Sequence, residues 1–500
     1  MTDYTYSTAS ELVAAMDAGS VSAVELTTAA INRIERLDGD LNALCVRDFD
    51  RALETAREAD AARAGGERRP LLGVPVTVKE SFNVAGLPTT WGVRAFKDFV
   101  AAEDAVAVAR LRAAGAVILG KTNVSVGLGD FQSYNPNYGT TNNPWDLGRT
   151  PGGSSGGSAA ALAAGFGALS IGSDIGGSLR IPAHFTGVYA HKSSAGLLPL
   201  RGHTFPQVPP LAYDRDLGVI GPMARSAADL ALLVGLLCGP DETTQGIAYR
   251  TALRPPRHDD LAAFRVLVLD SHPLVPVASE IRAAIDDLAA RLEAAGVTVR
   301  RHSPDRAGRP DQAHRRDQPH LPDQAEVART YMRLLQASIA ASYPPEVYAA
   351  AAAAAARLDP ADTSLAAERA RGVVLTYRDW IAADTVRARH RAEWRELFAR
   401  FDIVLAPVFS TPAFPHDQSP HQWAREISID GRSYDYSDQL VWAANATAAG
   451  LPSTAVPVTL SADGLPIGVQ LIGPLLEDYT PIRFAELIER EFGGFVAPPS

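Results

Sequence analysis

Cysteine is nearly missing from this chain: Cys45 and Cys238 are the only thiols in 500 residues. Two cysteines cannot staple a large domain, and they lack the paired spacing of a zinc site, which excludes a disulfide scaffold. The pattern points instead to a reducing compartment, with both thiols buried as small apolar groups. Basic charge is also scarce. Lys and Arg number 47 against 57 Asp and Glu, a formal net charge of -10 with the cations scattered, and this excludes nucleic acid as a main partner. No stretch approaches the ~20 consecutive apolar residues of a membrane span, so no membrane partner is expected. The start, Met1-Thr-Asp-Tyr-Thr-Tyr-Ser-Thr8, has neither the basic head nor the apolar stretch of a secretory signal, and a cytoplasmic location follows as an expectation. His302, His314 and His320 fall in a segment, 302 to 324, of Arg, Asp, Pro and Gln without ligand spacing; it reads as a mobile loop, and no metal is assigned. Internal repeats and Pro/Gly/Ser linkers are absent too.

What is present is an ordinary globular composition, 46% hydrophobic and 21% charged, enough for a sizeable core. Residues 8 to 36 carry helical periodicity in two blocks separated by Gly19, and Ser22 with Glu25 has the spacing of a capping box. Pro70 to Lys79 and Ala116 to Gly120 read as short buried strands. Arg265 to Asp270 is another strand, Glu280 to Ala295 an amphipathic helix, and Val297 to Arg300 a further strand. Ala349 to Ala356 is a run of eight alanines, expected to be a helix in close packing. Residues 365 to 400 form a longer charged helical region, and Phe401 to Pro407 returns to a sheet. Strands alternating with helices predict an α/β fold, one large domain with a mixed central sheet covered by helices on both faces. Its parts are N-terminal helices (1–65), a core (70–240), a helical and loop region (255–400), and a return to the sheet (401–500).

Two glycine-serine segments carry the chemistry. Gly152-Gly-Ser-Ser-Gly-Gly-Ser158 precedes an alanine-rich helix start, and alone it is equally a flexible connector or an anion cradle. Leu169-Ser-Ile-Gly-Ser-Asp-Ile-Gly-Gly-Ser178 runs from a strand into a tight turn where backbone N–H groups could converge on an oxyanion. A serine hydroxyl needs a base. His184 and His191 are near in sequence, yet Ser178 lacks the Gly-x-Ser-x-Gly elbow of one common histidine-triad design. Lys79, at the end of the apolar strand Val74-Pro-Val-Thr-Val78, serves if burial lowers its pKa; a lysine snorkelling from a strand end is the competing reading. Gly115-Ala-Val-Ile-Leu-Gly-Lys121-Thr122 matches the P-loop pattern, but Val117 to Leu119 between its glycines is strand-like, which argues against a phosphate cradle.

Taken together these blocks closely resemble the amidase signature enzymes. The resemblance is carried by Gly73-Val-Pro-Val-Thr-Val-Lys79, Gly120-Lys-Thr-Asn123, Asn143-Pro-Trp145, Pro151 to Ser158, Gly172-Ser-Asp-Ile-Gly-Gly-Ser-Leu-Arg-Ile-Pro182, Gly221-Pro-Met-Ala-Arg225, Ala406-Pro407, Gly450-Leu-Pro-Ser453 and Gly464-Leu-Pro-Ile-Gly-Val-Gln470. They span nearly the whole chain in order. The resemblance implies a Ser-Ser-Lys triad: Ser178 as nucleophile, Ser154, held through a cis peptide bond, as bridge, and Lys79 as general base. It further implies an oxyanion hole from the amides of Ile175, Gly176, Gly177 and Ser178, support from Ser155, Asp174 and Arg180, and Leu128 in the acyl pocket. No cofactor is implied.

The expected activity is hydrolysis of a small-molecule linear amide through an acyl-enzyme, with an aryl or alkyl amide as substrate and ester or carbamate turnover as a secondary activity. The acidic balance and the 302 to 324 loop favour a stand-alone hydrolase, with a homodimer as the candidate assembly. The alternatives are the glutamine-amidase subunit of a tRNA-dependent amidotransferase and a catalytically silent scaffold. The chain departs from the family pattern at Lys192-Ser193-Ser194, where many members have Lys-Pro-Thr, and at Val126, where an acidic residue is common.

Overall fold

The first two helices begin where the sequence supplies their caps. Thr8 and Ser22 accept from the amides of Glu11 and Glu25, whose carboxylates return to the cap amides, so both Ala9–Asp17 and Ala23–Leu41 open with a capping box. Their apolar faces bury Leu12, Met16, Leu26, Ile31 and Ile34, and a third helix, Phe49–Ala64, packs alongside. The computed structural model describes residues 2–206, 214–302 and 321–499. The expectation for the loop beyond His302, with His314 and His320, lies outside the described residues.

Among the described residues, these helices cover a mixed sheet of eleven strands. Its order is Leu44–Arg47, Val117–Thr122, Pro75–Lys79, Leu169–Asp174, Val219–Ala224, Tyr189–Lys192, Ser453–Leu460, Pro466–Ile472, Ile403–Pro407, Arg265–Val268 and Thr298–Arg301. Strands come from each of the four stretches anticipated from sequence, so these stretches share one domain. The strands Pro75–Lys79, Val117–Thr122, Leu169–Asp174 and Val219–Ala224 are buried along their whole length. Burial on both faces leaves no solvent side, which explains why Val117-Ile-Leu119 is apolar without alternation. Pro75–Lys79 and Leu169–Asp174 are parallel neighbours. Their carboxyl ends therefore emerge at the same edge of the sheet, which brings Lys79 and the turn after Asp174 together across 95 residues of chain.

Three local expectations are corrected. The alanine run lies in the helix Pro345–Ala355, none of whose residues is buried. Alanine's high helix propensity forms the helix, but its small side chains offer little area for a core to gain. The charged region 365 to 400 is two helices, Leu365–Val373 and Tyr377–Arg400, because Ser364 and Thr376 each cap a new start. Cys45 and Cys238 are half-buried rather than sealed in the core. Elsewhere the strand Val117–Thr122 continues through Gly120 with a shift of register against Pro75–Lys79, and Lys121 Nζ donates inward to Thr89 Oγ1 (2.8 Å) and to the Pro88 carbonyl. The P-loop pattern therefore forms no open amide cradle.

Candidate active site

Lys79 ends its strand fully enclosed, so the snorkelling alternative does not hold. Its Nζ lies 2.7 Å from Ser154 Oγ, 2.8 Å from Ser155 Oγ and 2.9 Å from Ser173 Oγ. Burial lowers its pKa from 10.5 to about 7, with the charge of Asp174 opposing the shift. A neutral amine has two hydrogens and one lone pair, which matches three hydroxyl neighbours: two hydrogen bonds donated and one accepted. Ser173 was not singled out from sequence. It sits on the strand beside Lys79, and its place in the Gly172-Ser-Asp block was the available signal.

The loop before the helix Gly156–Ala163 presents Ser154 and Ser155 to this lysine. The Gly153–Ser154 peptide is cis. Ser133 Oγ donates to the Gly152 carbonyl and accepts from Gly156 N–H, each at 3.0 Å, clasping the loop on both sides of Ser154. The Ser155 amide donates to the Ser178 carbonyl at 3.2 Å, tying the two glycine-rich turns together. Ser154 is 1% exposed and Ser178 7% exposed, so Ser178 is the more open of the two. Among the described residues Ser178 Oγ has no hydrogen-bond partner.

The turn from Ile175 to Ser178 is held from beneath by Asp174 and Arg180. Arg180 pairs with Asp174 through Nε and Nη2 (3.0 and 2.9 Å) and reaches Gln470 Oε1 and Thr447 Oγ1. Burial pushes the Asp174 carboxyl up, but Arg180, Lys192 and the Gly177 amide outweigh it and hold the pKa at about 2. One expectation changes here. The Gly177 amide donates to Asp174 Oδ1 (2.9 Å), which leaves Ile175, Gly176 and Ser178 as the amides able to meet an oxyanion. Gly177 itself is required, since its φ is +96° and a Cβ would sit 2.7 Å from Ile181 Cδ1. Tyr331 Oη donates to the Ile175 carbonyl at 2.7 Å from the helix Gln324–Ala340. Nothing in the sequence pointed to Tyr331, because its partner lies 156 positions away.

Replacing Arg180 with Met is expected to cost about 3 to 5 kcal/mol, because Asp174 would remain buried without its cation; urea unfolding of the two proteins measures this.

The histidines play other parts. His184 Nδ1 accepts from the Gly468 amide (2.7 Å), so Nε2 carries the proton and donates to the Thr411 carbonyl (3.0 Å). His191 lies between Thr454 and Asp478. Neither ring faces Ser178. Leu128 is half-exposed at the end of a short 3-10 turn with φ of 61°, two residues before Asp130. The Ser193-Ser194 departure is absorbed locally: Ser193 Oγ donates to the Ile220 carbonyl and Ser194 to the Asp478 carboxylate. Val126 is 44% exposed.

Two further buried lysines share the electrostatics of Lys79. Burial lowers Lys121 to about 8 and Lys192 to about 7. All three pKa values fall below that of an unfolded lysine, so from about pH 7 to 10 the unfolded chain binds more protons. Their contribution therefore makes stability rise with pH across that window. A higher urea midpoint at pH 9 than at pH 7 is the expected result.

A family profile described as Amidase matches residues 25–481. The chain belongs to the amidase signature family. Members are hydrolases of C–N bonds, and this chain is an enzyme of that kind. Among curated relatives of this amidase, a glutamyl-tRNA(Gln) amidotransferase subunit of Anaeromyxobacter sp. (strain K) is 34% identical over 98% of the chain and 97% of the relative. Among solved structures, an inhibitor-bound vestigial protein complex bearing on the origins of an s-triazine catabolic enzyme aligns at a TM-score of 0.79. It is 29% identical, covering 98% of the chain and all of that structure. A bacterial aryl acylamidase of the amidase signature family aligns at 0.77 and 25% identity, covering 98% of the chain and 96% of its own.

Proposed function

We propose that the protein cleaves the C–N bond of a carboxamide through an acyl-enzyme on Ser178. The observation that carries this reading is the wholly buried Lys79, lowered to about pKa 7 and 2.7 Å from Ser154 Oγ. Neutral Lys79 takes the Ser154 proton as Ser154 takes that of Ser178. Ser178 Oγ then forms a bond to the amide carbon, and the oxyanion is met by the amides of Ile175, Gly176 and Ser178. The protonated Lys79 returns its proton through Ser154 to the leaving nitrogen, the C–N bond breaks, and water releases the acid by the same relay. Ser155, Ser173, Asp174 and Arg180 hold these groups in place, and Leu128 borders the acyl pocket. The stretch 255 to 400 adjoins the site through Tyr331. The test is a fluorophosphonate probe with peptide mapping: a single adduct on Ser178 supports the assignment, and an unlabelled Ser178 overturns it.

The curated relatives bear on the substrate. A relative named as part of an amidotransferase, 34% identical along nearly its whole length, favours glutamine as the carboxamide and a multi-subunit setting over the free-standing aryl or alkyl amidase anticipated from sequence. Net acidity does not bear on this choice, because it restricts nucleic acid rather than protein partners. Turnover by the chain alone, read as ammonia from glutamine and as the released amine from an aryl amide, separates the readings. Rapid turnover of an aryl amide with none of glutamine would restore the free-standing one.

A further inference from the structure

The segment 130–134 packs directly against the loop that carries Ser154. A Cβ placed on Gly153 would collide with the Asp130 carbonyl oxygen and lie 2.7 Å from Gln132 N, so backbone touches backbone here with no slack. The same segment supplies Ser133, whose hydroxyl bonds on both sides of Ser154. Any shift of 130–134 is therefore a shift of Ser154 relative to Lys79.

The opposite side of that segment is pinned by a buried ionic cluster from a distant part of the chain. Asp130 Oδ2 accepts from Arg425 Nη1 at 2.7 Å, and its Oδ1 accepts from Tyr436 Oη at 2.6 Å. Arg425 Nη2 donates to Tyr134 Oη (2.7 Å) and to the Ser419 carbonyl (2.7 Å). Gln132 closes the seam in both directions, donating to the Asp417 carbonyl (2.7 Å) and accepting from the Asp417 amide (2.9 Å). The side chain of Arg425 is 1% exposed and that of Asp130 7%. A buried ion pair is a weak source of net stability, since desolvating both charges offsets their attraction, but it is highly directional. Its partners 417–436 include the hairpin of Glu426–Ile429 and Arg432–Asp435.

We propose that Asp130, Arg425 and Tyr436 form a positioning unit for Ser154, locking the 130–134 segment so that the proton bridge stays within reach of Lys79. The proposal rests on the role given to Ser154 above. None of the three residues belongs to the relay itself, and none emerged from the sequence motifs. Misplacing a reacting group by about 1 Å can cost on the order of 100-fold in rate without affecting binding. The unit is therefore expected to act on the rate of acylation.

The test uses the full chain with Tyr436→Phe, Asp130→Asn, Arg425→Met and the Asp130→Asn/Arg425→Met double variant. The fluorophosphonate labelling rate of Ser178 and steady-state turnover of whichever amide the wild type hydrolyses are both measured. Labelling and kcat are expected to fall together by about 10-fold or more with KM within about 3-fold, and the double variant is expected to lose no more than the worse single one. Tyr436→Phe removes one oxygen, so it keeps the test alive if a charge variant fails to fold. Folded variants, checked by thermal melting, that label at the wild-type rate would overturn the proposal. So would losses that multiply in the double variant, or losses confined to KM. An unlabelled wild type would instead overturn the function proposed above, so the two failures are distinguishable.

Discussion

Ser178→Ala is expected to abolish covalent labelling and to lower kcat by about 10⁴-fold or more, because the oxygen that forms the acyl bond is gone while the rest of the site remains. A factor of 10⁴ corresponds to about 5.5 kcal/mol of lost transition-state stabilisation. The variant should fold as the wild type does. Ser178 Oγ has no hydrogen-bond partner among the described residues, so its removal strands no buried donor or acceptor. Equal melting temperatures with lost turnover are the expected pair of results. Turnover surviving in Ser178→Ala would remove the nucleophile assignment, and attention would pass to Ser154 as the next hydroxyl within the same cluster.

Lys79 gives the second large effect, and it has a signature in pH. Because burial brings its pKa to about 7, the fraction of neutral amine falls tenfold per pH unit below that value and saturates above it. The rate of Ser178 acylation is therefore expected to climb with a slope near one up to about pH 7 and then level off. Lys79→Met should lower the plateau by about 10² to 10⁴-fold and erase the acid limb, since the group that titrates has been removed. Stopped assays at pH 5.5, 6.5, 7.5 and 8.5 on both proteins check this. An acid limb persisting unchanged in Lys79→Met would assign the titration to another group and remove Lys79 as the base. Asp174 is no substitute, because Arg180 keeps it ionised to about pH 2.

Much of the architecture was legible because several independent signals agreed. Ser22 with Glu25 marked the start of the second helix, and short apolar stretches marked strands buried on both faces. Lys79, Ser154 and Ser178 were legible for a different reason. Each stands in a block of the amidase signature pattern, and that resemblance, rather than the local glycine turns alone, pointed to them. Where side-chain type alone was the guide, inference was weaker. The alanine run predicted close packing and lies on the surface, and the cysteines predicted full burial and are half-covered. Composition reports what a segment is able to do, whereas burial depends on what the rest of the chain brings to it.

The sequence by itself determined the cap at Ser22 and the apolar strands, because these depend on neighbours within a few positions, while its resemblance to a family pointed to the three residues proposed for the relay. Only the tertiary structure decided what those residues meet: Ser173 beside Lys79, Asp174 claiming the Gly177 amide, Tyr331 on the Ile175 carbonyl, and Arg425 holding Asp130 against the Ser154 loop. Three of these four contacts join different elements of the fold, the most distant 295 positions apart, and the claim on the Gly177 amide depends on the turn's final shape. Such contacts follow from the register and packing of the whole sheet, which no local pattern encodes.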